Sequence, residues 1–272
     1  MYSARPAPAS LSICLCLALA LHDSNAQDAG SKLPQIVIDM VNAQVQWDTG
    51  LRDPTRPHLE FVKFDEFNRP DGHFTRFRVF AHGVPEGTQY TVALWKIGTP
   101  VQNLQVIPSP AYVNRKGLLL TRKPSADQED IESAGEGLEF DIGIQAANGE
   151  PIRFALRSKD SKVIVPGTLI AYPIESSDKG CRLSALLSAP DANIVLLTAD
   201  GFVPNTDLIV KGDSAGEPKQ SKHKTDANGH VQFGELPYVV GKEAGVLADT
   251  IETPDCSVSV QVPWGKGSYH KH

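Results

Sequence analysis

Hydrophobic and polar side chains alternate along much of the chain, and helical spacing is scarce. Alternation with a period of two places the apolar residues on one face of a β-strand. Stretches with this pattern, or with a short apolar run, are HLEFVKF (58–64), HFTRFRVFA (73–81), TQYTVALWKIG (88–98), VQNLQVIP (101–108), KGLLLTR (116–122), LEFDIGIQA (138–146), IRFALRS (152–158), KVIVPGTLIAYPI (162–174), CRLSALLS (181–188), ANIVLLTA (192–199), TDLIVKG (206–212) and CSVSVQVPW (256–264). Short strands separated by Pro and Gly turns predict an all-β protein of antiparallel β-sandwiches rather than a parallel α/β sheet.

Two of these strands flank a strong turn sequence. Asn148-Gly149 lies between the apolar faces of 138–146 and 152–158, which predicts a β-hairpin. In the second strand Arg153 and Arg157 alternate with apolar residues, so we expect both to point outward. The segment 34–47 fits either a strand or a helix, and the acidic segment 123–137 is typical of a solvated loop or a single helical turn.

The clearest boundary is PIESSDKG (173–180), a polar stretch between two strand-rich halves. We therefore predict one β-sandwich over residues 27–174, a second over 175–266, and a disordered tail over 267–272.

The first residues have the features of a signal peptide. Arg5 supplies a positive charge, LSICLCLALAL (11–21) is apolar, and Ser24-Asn25-Ala26 offers small residues before a cleavage site. The apolar run is too short to span a bilayer. The sequence therefore predicts removal of residues 1–26 and an exported protein, periplasmic or extracellular, with no stable membrane insertion afterwards.

Two cysteines remain after removal of that segment, Cys181 and Cys256. Each lies in phase with the apolar residues of its strand, so both sulfurs are expected in one apolar layer. An even pair in an oxidising compartment predicts a disulfide. The alternative is a reactive pair of thiols.

The formal charge of −6 argues against nucleic acid as a partner. With 41% apolar residues the chain can bury a substantial core.

Residues 73–95 contain the turn GVPEGTQY (83–90) between two strands. This segment resembles a fibronectin type III domain, and the resemblance implies that the hydroxyl of Tyr90 makes a tyrosine corner by bonding back to the backbone. Residues 181–265, with GFVPNTDLIVKGDSAGE followed by TDANGHVQF, resemble bacterial immunoglobulin-like modules. Both resemblances imply a sandwich and no particular activity.

Gly212-Asp213-Ser214-Ala215-Gly216 matches G-x-S-x-G, the motif of many hydrolase nucleophiles. The residues that follow, EPKQSKHK, have no helical periodicity, so the nucleophile elbow is not supported. The stretch also resembles the GDSGG of trypsin-like serine proteases, and His82 and Asp141 precede Ser214 in the order of that triad. A turn between two strands fits the flanking sequence better, and a serine hydrolase remains the alternative function.

A calcium loop is the second chemical candidate. Asp226, Asn228 and Glu235 would occupy ligand positions, but Lys224 would stand where the first carboxylate is needed. Asn228-Gly229 fits a hairpin turn better. Neither a cofactor nor a metal site is predicted.

The basic run Lys219, Lys222, His223 and Lys224 is typical of a protected edge strand, or alternatively of a patch for an anionic glycan or lipid headgroup. Trp95 and Trp264 lie in apolar strands and are expected in the core, whereas Trp47 is the candidate for a sugar-stacking surface. The sequence favours a non-enzymatic binding or structural module at the cell envelope, with a protein or a glycan as its partner.

Overall fold

The computed structural model describes residues 35–51, 53, 55–95, 97, 105–123, 140–159 and 164–271. The predicted signal peptide, and the acidic segment from residue 124 onward, lie outside this part of the chain. Within the described residues, no helix has the length and apolar character needed to cross a membrane.

Strands dominate the described residues, as the alternating pattern predicted. The elements are α1 (Gln35–Gly50), β1 (His58–Arg69), β2 (Gly72–His82), β3 (Gln89–Trp95), β4 (Gln105–Val113), β5 (Leu119–Leu120), β6 (Asp141–Ile144), β7 (Pro151–Ser158), β8 (Ile164–Ile170), β9 (Ile174–Asp178), β10 (Cys181–Leu187), a 3-10 turn (Pro190–Ala192), β11 (Val195–Asp200), β12 (Asp207–Ser214), β13 (Glu217–Lys224), β14 (Val231–Glu235), β15 (Ala244–Glu252) and β16 (Ser257–Gly265). The sheets are antiparallel throughout, which confirms the all-β sandwich class.

Two sheets form the first half of the chain, one of order β1-β2-β6 and one of order β5-β4-β3-β7-β8. Their apolar faces share one core, with Phe77 and Val79 from the first sheet and Val92, Phe154 and Leu156 from the second. In the described part of the chain, no other sheet packs against the opposite face of the three-stranded sheet.

Two further sheets form the second half, with orders β14-β11-β10-β9 and β13-β12-β15-β16. Leu183 and Leu197 from the first of these meet Leu247, Val260 and Val262 from the second in a separate core. Each half of the chain thus buries its own apolar layer between two sheets, as in a β-sandwich.

The predicted disulfide is confirmed. Cys181 begins β10 and Cys256 directly precedes β16, and their sulfurs are bonded with the Cα atoms 6.3 Å apart. Both residues are buried in the second core, so the bond joins the two sheets of this half.

The ambiguous segment 34–47 belongs to a helix. Val41 and Val45 pack on Leu196, and the Gln44 amide donates a 2.8 Å hydrogen bond to the Ser188 carbonyl. These positions recur with the helical period and lie on one face of α1. The helix therefore covers the outer side of β11 in the second half.

The end of the same helix contacts the first half. The Asp48 carboxylate accepts hydrogen bonds from the guanidinium of Arg153, at 2.6 and 3.2 Å, and from the Thr168 hydroxyl at 3.0 Å. Arg153 was expected to point into solvent, but only 1% of its side chain is exposed because α1 and Trp95 cover it. The prediction that Arg153 faces away from the core was right. The alternation of side chains could not show that α1 covers that side of the strand.

The predicted hairpin across Asn148-Gly149 is wrong in its pairing. The turn is formed, with a hydrogen bond from the Glu150 amide to the Ala147 carbonyl. However, β6 pairs with β2, whereas β7 pairs with β3 and β8 in the other sheet. The chain changes sheet at this turn, so the two apolar faces cover one core from opposite sides.

The predicted linker contains regular structure. Residues 174–178 form β9, which pairs with β10, and the predicted strand 162–174 is interrupted at 171–173. For residues 267–272 the sequence predicted a disordered tail. Among those that the structure describes, Lys271 instead forms a bridge with Ala147, and Tyr269 packs against the second core.

Candidate binding surface

The solvent side of the β1-β2-β6 sheet carries aromatic and arginine side chains. Lys63 pairs with Phe77 and Asp65 pairs with Arg76, so Phe64 is an extra residue in β1. A bulge of this kind changes the phase of the side chains beyond it. As a result Phe67 lies opposite Phe74 on the outer face, although Phe61, before the bulge, packs against the core.

The outer side chains contact each other closely. The Phe64 ring lies beneath two guanidinium groups, at 4.8 Å from Arg76 and 4.9 Å from Arg78. Each cation–π contact at an exposed site contributes about 0.5–1 kcal/mol, so the rings and guanidinium groups hold one another in position.

A second group lies at the end of the hairpin. Phe67 and Phe74 stack with centroids 5.5 Å apart and planes inclined by 10°. The Arg69 guanidinium lies 4.9 Å from the first ring and 5.3 Å from the second. We call this surface the Phe–Arg face; its members are Phe64, Phe67, Arg69, Phe74, Arg76 and Arg78.

Charge on the Phe–Arg face is partly neutralised. Arg76 donates to Asp141, at 2.7 Å from its Nε atom, and to Asp65 at 3.4 Å. The pKa of Arg76 is raised, mainly by the hydrogen bond that its guanidinium donates to the Asp141 carboxylate. Within the described part of the chain, Arg69 has no carboxylate partner, and its guanidinium contacts the rings of Phe67 and Phe74.

This surface was not predicted. The alternation over 58–64 and 73–81 indicated ordinary half-buried strands. Phe74 lies in the polar phase of its strand with Arg76 and Arg78, which was an available sign of an outward-facing aromatic residue. The position of Phe67 required the bulge, and side-chain alternation cannot reveal a bulge.

The candidate catalytic residues are not brought together. Ser214 donates to the Pro237 carbonyl, His82 bonds to Glu60 at 2.7 Å, and Asp141 pairs with Arg76. Each side chain is therefore engaged outside the triad.

The GDSAG stretch forms a turn between β12 and β13. Ser214 pairs with Glu217 in the ladder, and Ala215 and Gly216 both have positive φ, 51° and 90°. Such a pair of residues makes a tight two-residue hairpin. The Ser214 side chain is buried, so its hydroxyl is not presented at a strained, exposed elbow.

The TDANGH segment also forms a turn, but not a hairpin. The Asp226 side chain accepts hydrogen bonds from the amides of Asn228 and His230, and Gly229 has φ +75°. The strands on either side, β13 and β14, belong to different sheets. In the described residues no three His, Cys, Asp or Glu side chains are arranged to hold a metal ion.

The expected tyrosine corner is not formed. Tyr90 is 1% exposed, and its hydroxyl has no backbone hydrogen bond in the described part of the structure. Burial raises the pKa of this hydroxyl. The residue that carried the fibronectin type III resemblance therefore fills the core without the bond that the family implies.

The basic run lies on β13, which is an edge strand of its sheet, as predicted. Lys222 pairs with Asp207 at 2.8 Å, and Lys219 pairs with Glu235 at 2.5 Å. Lysines with these partners protect the edge and do not form a continuous cationic patch.

Both tryptophans that were expected in the core are buried. Trp264 lies in the second core, whereas Trp95 lies under α1 beside Arg153 and Trp47. Trp95 and Trp264 are each 2% exposed. Trp47 is half-buried and stands edge-on to Trp95 with ring centroids 5.7 Å apart. Its packing between the helix and the sheet does not provide the open ring face that sugar stacking requires.

Comparisons with known proteins add little to this description. No family model matches the chain, and no curated protein matches it. Among solved structures, the chain is similar to the tetra-tandem repeat in the extending region of a large adhesion protein, with 11% identity and a TM-score of 0.24. The match covers 78% of this chain and 50% of that one. The chain thus spans half of its structural neighbour.

Proposed function

We propose that this chain is an exported, non-enzymatic binding module whose Phe–Arg face contacts a partner at the cell envelope. The observation that carries the proposal is an outward sheet face with three phenylalanines in direct contact with three arginines. Exposed apolar side chains in a contiguous group mark an interaction surface more often than isolated ones do.

The chemistry of the face favours a protein partner over a glycan. Aromatic residues and arginine are enriched at the centres of protein interfaces, where they supply most of the binding free energy. The rings are held by cation–π contacts before binding, so ordering them costs little entropy. The guanidinium N–H edges of Arg69 suit a carboxylate on the partner.

Export is supported by two features. The Cys181–Cys256 bond is of a kind that persists in oxidising compartments, and residues 1–26 have the pattern of a signal peptide. We place the protein in the periplasm or outside the cell.

We also propose that the chain folds as two domains. The separate cores of the two halves support this division, with the boundary at 171–173 rather than within β9. In this division the second, immunoglobulin-like domain begins with β9 at Ile174 instead of at residue 175.

The test uses the mature protein with Phe64, Phe67 and Phe74 replaced by Ser. Wild type and variant are immobilised and exposed to envelope proteins under cross-linking, and in parallel to a glycan array. We expect wild type to retain a defined protein and the triple variant to lose at least tenfold in affinity for it, because the central aromatic contacts are gone.

The matched control replaces three exposed apolar residues of the other half by Ser, namely Val203, Ile209 and Val246. This variant should bind as wild type does. Equal binding by wild type and the Phe64/Phe67/Phe74 variant would refute the assignment of the face. Binding to the glycan array alone would show that the partner is a glycan and not a protein.

A further inference from the structure

Asp249 is the most unusual ionisable residue of the second half. It lies on the core side of β15 between Leu247 and Ile251, and all three side chains are fully buried. Neither of its carboxylate oxygens has a hydrogen-bond partner in the described residues. Burial, and to a lesser extent the charge of Glu235, raises its pKa to about 7, with Lys219 acting in the opposite direction. A substantial fraction of Asp249 is therefore the neutral acid at neutral pH.

Lys219 and Asp249 lie side by side across the sheet, on the two strands that flank β12. Gly212 of β12 pairs with Lys219 on one side and with Asp249 on the other. A Cβ atom on Gly212 would lie 2.5 Å from Asp249 Oδ1, 2.9 Å from Lys219 Cγ and 3.0 Å from Lys219 Cε. The missing side chain thus leaves a space over β12 into which both neighbouring side chains extend.

Glu235 reaches this space from the facing sheet. Its Oε2 atom is 2.5 Å from the Lys219 ammonium, and its side chain is 12% exposed against 30% for the lysine. The Ser221 hydroxyl donates to the other oxygen at 3.4 Å. A carboxylate in this position can accept a proton from the ammonium group and convert it to a nucleophilic amine.

We propose that Lys219 and Asp249 join in an intramolecular isopeptide bond, with Glu235 as the catalytic proton acceptor. The Lys219 ammonium transfers a proton to Glu235. Its Nζ atom then attacks Cγ of the neutral Asp249 carboxyl group, a C–N bond forms, and the C–O bond to the acid hydroxyl breaks. The hydroxyl leaves with the second amine proton as water, and Glu235 later releases its proton to solvent. No oxidant or cofactor is consumed.

The surroundings favour the product. The buried, apolar neighbours of Asp249 keep bulk water from hydrolysing the amide, while the part-exposed lysine end leaves a way out for the released water. The bond would tie the edge strand β13 to β15 across β12. The inference does not depend on the Phe–Arg face or on any binding partner.

Intact mass of the folded, disulfide-bonded protein tests the bond directly. We expect the mass to be lower than that of the oxidised chain by one water. After reduction and trypsin digestion, residues 212–222, uncleaved at Lys219, should remain joined to residues 243–266 as one branched peptide. An unmodified mass in folded, oxidised protein would overturn the proposal, and wild type alone suffices for this result.

Variants assign the roles. Lys219→Met and Asp249→Ala should each have the mass calculated for the oxidised variant, with no loss of water. Glu235→Gln should also show no loss of water, although Lys219 and Asp249 are both present. Lys222→Met is the control, because this exposed lysine of the same strand pairs with Asp207 and should leave the loss of water unchanged. Loss of water that persists in Lys219→Met or Asp249→Ala would also overturn the assignment.

Discussion

The ion pair between Asp48 and Arg153 should be one of the most costly interactions to break in this protein. Asp48 is the acceptor for both Arg153 and Thr168, and the two charged side chains are 11% and 1% exposed. Removing one partner of a buried pair leaves an uncompensated charge, which costs about 3–5 kcal/mol. We therefore expect Asp48→Ala to lower the free energy of unfolding by that amount.

The control is the ion pair between Lys211 and Glu252. Its N–O distance is 2.6 Å, the same as for Arg153 and Asp48, but its side chains are 61% and 54% exposed. Glu252→Ala should lower the free energy of unfolding far less than Asp48→Ala does, because water screens an exposed pair. The two pairs have the same shortest N–O distance and opposite burial; Asp48 also accepts a hydrogen bond from Thr168, which adds to the cost of removing it.

Urea titration followed by tryptophan fluorescence measures both effects, since Trp47 and Trp95 lie beside the buried pair and Trp264 lies in the second core, to which β15 contributes. A double variant, Asp48→Leu with Arg153→Met, should recover most of the loss, because apolar replacement of a buried pair is often close to neutral. If Asp48→Ala and Glu252→Ala lowered stability equally, the argument from burial would be refuted.

Three further outcomes are expected. Reducing the Cys181–Cys256 bond, which closes a separation of 75 residues, should cost about 4 kcal/mol in urea titrations with and without reductant. Gly229→Ala should cost about 3 kcal/mol or more because its Cβ would lie 2.0 Å from a backbone carbonyl oxygen; Gly216→Ala, which has positive φ but open space, should cost about 1 kcal/mol. A fluorophosphonate probe should leave folded protein unlabelled at Ser214, whose hydroxyl is buried and bonded to a carbonyl; an adduct there would revive the hydrolase hypothesis.

Sequence patterns were sufficient wherever the interaction was local. Alternation identified most of the strands and their buried faces, including those that carry Cys181 and Cys256. The small, flexible residues of GDSAG and TDANG identified two turns. These features depend on neighbouring residues along the chain, whose spacing the backbone geometry relates directly to one face of a strand.

Pairing between strands was not predictable in the same way. The turn at Asn148-Gly149 is present, yet β6 and β7 pair in different sheets. A turn sequence limits the direction of the chain, whereas the choice of partner strand depends on which arrangement covers the core. That choice involves β2, β3 and β8, which are distant in sequence.

The fold class, the faces of most strands and the cysteine pair could be predicted from the sequence, because each follows from short-range periodicity and composition. Three features became visible only in the folded chain: a helix covers Arg153, a bulge turns Phe67 outward, and Lys219, Glu235 and Asp249 lie close to Gly212. These features arise from packing between separate elements. Packing free energy depends on three-dimensional neighbours, and one-dimensional alternation contains no information about them.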